Sequence, residues 1–420
     1  MKRYWMLGLL MILCLGVSLG AGDAASEEVV IGSAYPLTGS VASAGLDSKI
    51  AIDLAVDIIN NKHDLELPLA KTAGLPNLGG AKVKVIVRDH QGKPEIGRAE
   101  AERLITQEKV VALFGMYHSS VTSVASQVAE RYGIPYLTGE SSSPRLHRRG
   151  MKWFFRTGLH DEHFTKAMFE YLKELQAKTG IRLKTVGIMH EDTLFGTDSG
   201  RIQKKLAKQY GYEVVESFAY RSKSTTLTAE IQRMKAANPD VFLPTSYTND
   251  AILMVKTMKE LDYNPTITIA QNAGFSDALF VREMGQEALG VATRSALGVD
   301  LIDKLALLSK VNALYKQKRG VDLHGGTART FMGLITLADA INRAGSTEPE
   351  AIRQALLATD IKPNQIIMPW RGIKFDPKTG QNELATSVIM QLQGGQYYTI
   401  WPFEVATKEP IYPIPAWSER

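Results

Sequence analysis

VVALFGMYHSSVTSVASQVAERYGIPYLTGESSSP, residues 110–144, holds two short apolar runs, 110–115 and 136–139, on either side of a segment that opens a helix at Ser119–Ser123. A strand, a turn rich in small and hydroxyl residues, a helix and a second strand make one βαβ unit. The same order recurs from Val29 onward, with strand-like runs at 29–34, 83–88, 185–190, 213–218, 241–244 and 266–270. Between them lie amphipathic helices. Leu46, Ile50, Leu54 and Ile58 fall four apart with Asp47, Asp53 and Asp57 on other faces, and Ile202, Leu206 and Tyr210 repeat the pattern. Strands separated by helices of this length imply parallel sheets. Eight such strands exceed one small sheet, and the composition changes at 141–150, so the expected fold class is α/β with two doubly wound lobes.

The flanking segments fit that frame. Residues 60–80, with Pro68, Pro76 and three glycines, are expected to form a surface insertion. Runs at 373–376, 387–392 and 396–401 suggest short antiparallel pieces, with Gly394-Gly395 as a turn. The 420 residues, 45% hydrophobic and 22% charged, suffice for two or three domains with cores of their own. Lys plus Arg number 49 against 44 Asp plus Glu, and the basic residues are scattered. The densest cluster, Arg145, His147, Arg148 and Arg149, has no aromatic interleaving, so no nucleic-acid partner is expected. At the start, Lys2 and Arg3 precede an apolar run over 5–19 and small residues over 20–26, the pattern of an export signal over 1–25 cleaved near Ala24 or Ala25. That run is too short to span a bilayer comfortably. Cys14, the single cysteine, would leave with it. Leu13 stands where a lipidation signal needs a small residue, so no lipid anchor is expected, and the mature chain has no thiol chemistry.

Enzyme motifs are mostly missing: there is no GxGxxG after the first strand, no phosphate-binding GxxxxGK[ST], no GxSxG and no HExxH. GTDSG at 196–200 places its serine one position late, and His160-Asp161-Glu162-His163 reads as a charged helix start. No cofactor or metal is called for. The strand ends carry more. Ser119 and Ser120 open a helix directly after one strand, and Ser141, Ser142 and Ser143 follow the next, so hydroxyls and free N–H groups gather at one edge of a sheet. A carboxylate is held well at such an edge, where ligands of open α/β sheets sit. Helix capping by Ser119 and Ser142 is the plainer alternative and stays open at this point.

AYPLTGSVASAG, VRDHQGKPEIGRAEAERLI, LFGMYHSS, YGIPYLTGESSSP, FFRTGLHDEH, IMHEDTLFGTDS, AEIQRMKAANPDVFLPTSY and GIKFDPKTGQ, in that order, resemble the branched-chain amino-acid (Leu/Ile/Val-binding) family of periplasmic binding proteins, the receptor subunits of ABC importers. The resemblance implies two Rossmann-like lobes joined by three crossovers, the type I periplasmic binding protein fold, closing over one ligand. It puts residues 26–146 and 297–385 in the N-terminal lobe and 147–296 and 386–420 in the C-terminal lobe. Ser119, with Ser120 beside it, matches the serine that takes the ligand carboxylate; Ser142 and its neighbour Ser141 match the hydroxyl position facing carboxylate and amine. Tyr247 matches the second lobe's aromatic, and Phe195 before Gly196 the usual Tyr-Gly contact. Core packing is the other reading of Phe195. Two departures stand out. Where the family carries an acid for the ligand ammonium this chain has Gln271, Asn272 and Ala273, and where many members have an aromatic it has Ala44, which is expected to leave room. Expected partners are a small amino acid, amide or aliphatic or aromatic carboxylate, and the permease and ATPase of an importer. A sensor partner, or an exported enzyme using Glu140, His118 and Asp192, are the alternatives.

Overall fold

The computed structural model describes residues 28–420; the expected signal segment 1–25, its cleavage position and Cys14 lie outside the described residues. The first lobe starts with β1 (Val29–Tyr35), α1 (Ala42–Asn60), β2 (Val83–Asp89), α2 (Pro94–Thr106), β3 (Ala112–Gly115), α3 (Ser119–Tyr132), β4 (Tyr136–Thr138) and β5 (Phe154–Arg156). These strands form a parallel five-stranded sheet in the order β2-β1-β3-β4-β5. The second lobe comprises α4 (Asp161–Thr179), β6 (Thr185–Glu191), α5 (Leu194–Gln209), β7 (Glu213–Tyr220), α6 (Thr228–Ala237), β8 (Val241–Thr245), α7 (Thr248–Glu260), β9 (Ile267–Ala270), α8 (Ala278–Met284) and β10 (Ala292–Ser295).

The chain then returns. α9 (Ala306–Arg319), α10 (Gly325–Ala344) and α11 (Pro349–Leu357) cover the first lobe, where Leu308, Leu334, Ile341 and Ile352 join Ile31, Ile52 and Phe114 in one core. After the small ribbon of β11 (Asp360–Ile361) and β12 (Ile373–Lys374), it crosses a third time to β13 (Val388–Gln393) and β14 (Gln396–Trp401). These two extend the second sheet antiparallel, in the order β14-β13-β10-β9-β8-β6-β7, and Gly394 and Gly395, both at positive φ, make their turn. Two α/β lobes are thus joined by three crossovers.

Four sequence expectations need correction. β5 pairs with β4, so the first crossover follows residue 156 rather than 146. Residues 60–80 are no simple surface insertion, because Leu65, Leu67, Ala70 and Leu75 are buried in the first core. On α1, Leu54 and Ile58 face inward as expected, but Leu46 is exposed and Asp47 is buried. Arg319 of α9 supplies Asp47 Oδ1 with a partner, which offsets part of the cost of burying its charge, while Oδ2 is buried without one. The room expected beside Ala44 is closed, since Ala44 and Val41 pack against Phe195 and Tyr247 of the other lobe.

Candidate ligand-binding site

In each sheet the first strand connects to a neighbour on one side and the third strand lies on its other side, which leaves a crevice at the strands' carboxyl ends. In the first sheet the crevice lies between β1 and β3, and in the second between β6 and β8. The loops leaving these strands face each other. Gly115, Met116 and Tyr117 all have positive φ (85°, 74° and 46°), as do Asn272 and Ala273 (63° and 52°) after β9. Such backbone costs roughly 1–3 kcal/mol per non-glycine residue and persists where the surroundings impose it. Gly115 is needed, because a Cβ there collides with the Tyr35 ring.

Between the loops lies a small cavity lined by Tyr117, Ser119, Glu140, Ser142, Phe195, Tyr247, Ala273, Arg294 and Arg329. A second small hollow adjoins it, lined by Ser120, His118, Lys223, Tyr247 and Asp250 among others. A much larger hollow, about 1040 Å³, is an open groove along α8 and β14 that shares no residue with this site. We take the cavity beside Ser119 and Ser142 as the site, because it joins the strand-end loops of both lobes and is lined by hydroxyls from the ends of β3 and β4 together with Arg294 and Arg329.

Four of the sequence-derived candidates, Ser119, Ser142, Phe195 and Tyr247, line one cavity. Ser119 is the first helical residue of α3, not its cap, for His118 holds that place. The first backbone bond there runs from the Thr122 N–H to the His118 carbonyl at 2.9 Å, which leaves the N–H groups of 119–121 without helical acceptors. The Ser119 hydroxyl oxygen accepts the Ser143 N–H at 3.2 Å and so keeps its own proton to donate. Ser120 lines the adjoining hollow. Ser141 and Asn272 line neither. The Ser141 hydroxyl is held by Thr122 (2.6 Å) and donates to the Tyr117 carbonyl (2.9 Å), fixing one loop to the other. The Asn272 side chain donates to the Arg294 carbonyl at 2.8 Å and accepts from Ser276, so it braces its own strained turn. Aromatic rings form the wall: Tyr247 lies 5.4 Å from Phe195, 4.7 Å from His118 and 6.1 Å from Tyr117, centroid to centroid.

The lip that carries Ser142 is positioned by Arg156, which is fully buried. Its guanidinium donates to the carbonyls of Ser141 and Ser143, both at 2.9 Å, and to Gln381 at 2.6 Å. Burial pushes that group down to about 9, still protonated at neutral pH. Two acidic residues tie the lobes across the cleft: Asp198 of α5 takes the Ser143 hydroxyl and Arg145 (2.8 Å), and Asp277 takes the Ser43 hydroxyl (3.0 Å).

Reading strand ends and resemblance did not single out Tyr117, Arg294 or Arg329. A signal existed for the arginines. Arg329 stands alone in the apolar and small-residue run of α10, and Arg294 in the buried run ATRS, where a lone cation marks a buried, committed charge. Glu140, named only as a possible enzyme acid, lies in the same wall, with one oxygen held by Tyr35 (2.9 Å) and Thr330.

This arrangement of lobes matches known proteins along its length. The periplasmic binding protein family matches residues 28–396. The chain belongs to that family. It is 32% identical over 409 residues to Leu/Ile/Val-binding protein homolog 8 of Brucella suis, covering 94% of this chain and 97% of that protein. Its fold is that of a leucine binding protein from Thermotoga maritima (TM-score 0.74, 19% identity, 88% of this chain and 97% of that one). It is equally that of a solute binding protein of an ABC transporter from Rhodopseudomonas palustris in complex with 3,4-dihydroxybenzoic acid (TM-score 0.74, 20% identity, 94% and 99%). As a periplasmic binding protein this chain is a solute receptor that takes a small ligand between its lobes, and its family is one of binding proteins rather than catalysts.

Proposed function

We propose that this protein is the receptor subunit of an ABC importer, exported to the periplasm by cleavage of residues 1–25, and that it holds a small amino acid, amide or carboxylic acid in the cavity between its lobes. The observation that carries this reading is the meeting, in one interlobe cavity, of the Ser119 and Ser142 hydroxyls with the Phe195 and Tyr247 rings. Ser119, aided by the free N–H groups of Ser119 and Ser120, takes the ligand carboxylate together with Ser142. Phe195, Tyr247 and Tyr117 cover its apolar body. Ser141 and Asn272 act at one remove, by holding the two strained loops. The kinds of ligand named for the Brucella, Thermotoga and Rhodopseudomonas proteins, branched-chain amino acids and an aromatic acid, support a carboxylate-bearing solute.

Binding in the cleft draws the lobes together, a population shift toward the closed form. The closed form presents the surface that a permease and its ATPase would read. Small-angle scattering tests this with a set of amino acids and carboxylic acids, each first screened by thermal shift. A ligand at 100 times its Kd adds about 2.7 kcal/mol, which is readily seen as a rise in Tm. A stabilising ligand is expected to reduce the radius of gyration; an unchanged radius at saturation overturns the closure mechanism.

A further inference from the structure

Two arginines from different parts of the chain meet at one wall of the cavity. Arg294 ends β10 beside the second crossover, and Arg329 lies one turn into α10. Both are nearly inaccessible, at 2% and 6% exposure, yet both line the cavity. Phe164 lies behind them, its ring centroid 3.5 Å from the Arg294 guanidinium carbon and 5.9 Å from that of Arg329. Neither guanidinium is fully used. Arg329 donates through Nε to the Gly325 carbonyl (2.9 Å) and through Nη1 to the Glu140 carbonyl (3.1 Å), and its Nη2 makes no hydrogen bond among the described residues. Arg294 donates only through Nη2, to Asp161 at 3.2 Å; its Nη1 has no acceptor, and its Nε is buried without a partner. A guanidinium has five donors in a planar fork, so these free N–H groups form an incomplete site for a planar anion.

The acids nearby do not complete it. Asp161 is fully buried and outside the cavity lining, with Gln271 and Arg294 as its partners. Glu140 does line the cavity; Tyr35 and Thr330 hold its Oε1, and its Oε2 is buried without a partner. Burial also pushes the Glu140 carboxyl up, toward the form without charge. At the position where relatives are expected to offer an acid to the ligand ammonium, the Asn272 side chain is consumed by Arg294 and Ser276.

We propose that Arg294 and Arg329 form the anion-holding end of the ligand site, so that the receptor selects net-negative carboxylates with an apolar or aromatic body and rejects the zwitterionic amino acids of the same shape. This rests on the receptor reading above and narrows it. The physical reason is the cost of desolvating charge. A carboxylate entering the cavity supplies the acceptor that the two forks lack, whereas an α-ammonium brought beside them adds a like charge that, within the lining, only the buried Glu140 could answer, a carboxyl whose burial favours its neutral form.

Calorimetry with matched probes tests it without any substitution. 4-Methylpentanoate against leucine and 3-phenylpropanoate against phenylalanine differ at the α-ammonium, and benzoate against benzamide differs in charge. At least one acid is expected to bind, and each acid that binds is expected to do so at least about tenfold more tightly than its zwitterionic or neutral partner, the scale of one charge-assisted hydrogen bond. Arg294→Gln is expected to remove roughly ten- to a hundredfold of that affinity, and Arg294→Lys less. Leucine or phenylalanine binding as tightly as its deaminated partner, with the same contraction in scattering, overturns the charge selection and leaves the receptor reading standing. Failure of all six probes to bind overturns the selection proposed here, and a wider screen that also finds no ligand overturns the receptor reading.

Discussion

At the scale of single residues, the site depends on the Ser119 hydroxyl, whose acceptor side is already occupied. Ser119 accepts from the Ser143 N–H, so its proton is directed outward, and replacement by alanine removes both that support and a bond to the ligand. Ser119→Ala and Ser142→Ala are each expected to weaken binding by about 1.5–3 kcal/mol, or roughly ten- to a hundredfold, in calorimetry. Ser123→Ala, one turn along α3 and outside the cavity lining, is expected to bind as the parent protein does. Ser141→Ala separates a structural role from a binding one. It is expected to lower the unfolding free energy by about 1 kcal/mol, read as a lower denaturant midpoint, because it unties Thr122 from the Tyr117 carbonyl, with a smaller change in affinity than Ser119→Ala. The hydroxyl-rich segments after β3 and β4 were legible in the sequence, but the pattern left helix capping open, and it was the family resemblance that singled out Ser119 and Ser142. Arg294 and Arg329 were not, since a basic residue in a sequence reads as surface until the packing of a distant segment encloses it.

At the scale of elements, the lip of the site is a loop without regular structure that borrows its rigidity from β5. Arg156 anchors it through the carbonyls of Ser141 and Ser143, with Gln381 completing its donors from a segment more than two hundred positions away. Arg156→Leu leaves those buried acceptors unpaired and is expected to cost about 2–4 kcal/mol of stability by urea unfolding, with weaker ligand binding as a second effect. The long periodic elements of both lobes followed from hydrophobic spacing. β5, with the sequence FFR, and β10, with ATRS, are too short and too polar to show a two-residue alternation. Their strand geometry comes from neighbours already in place, as does the burial of Leu65, Leu67 and Leu75 in a segment rich in proline and glycine. The reversal of Leu46 and Asp47 has the same origin: Arg319 lies 272 positions away, and no local pattern announces it.

At the scale of the whole molecule, the lobes are held shut by few polar ties. Asp198 is buried, while its partner Arg145 is 55% exposed and partly screened by solvent. Asp198→Ala is therefore expected to favour opening by about 1 kcal/mol, roughly fivefold in the ratio of open to closed forms, seen as a larger radius of gyration for the unliganded protein. Acid acts more broadly. Burial pushes His90 down to about 4 and His147 to about 3, and also lowers His118, His163 and His190. An unfolded histidine titrates near 6.5, so between that value and about 3 the unfolded chain binds more protons than the folded one. The stability these groups contribute is present above pH 6.5 and is lost as pH falls toward 3. Calorimetric scans are expected to show Tm falling over that interval, with His90→Asn reducing the slope. The return of the chain to its first lobe has a consequence for biogenesis. The core of the sheet that begins at Val29 lacks α10 until β6 to β10 of the second lobe have been made, so a nascent chain carries most of its second lobe before its first core can close. Contacts of such long sequence separation form slowly. A chain built this way closes its first core late, which would suit the exported receptor proposed above.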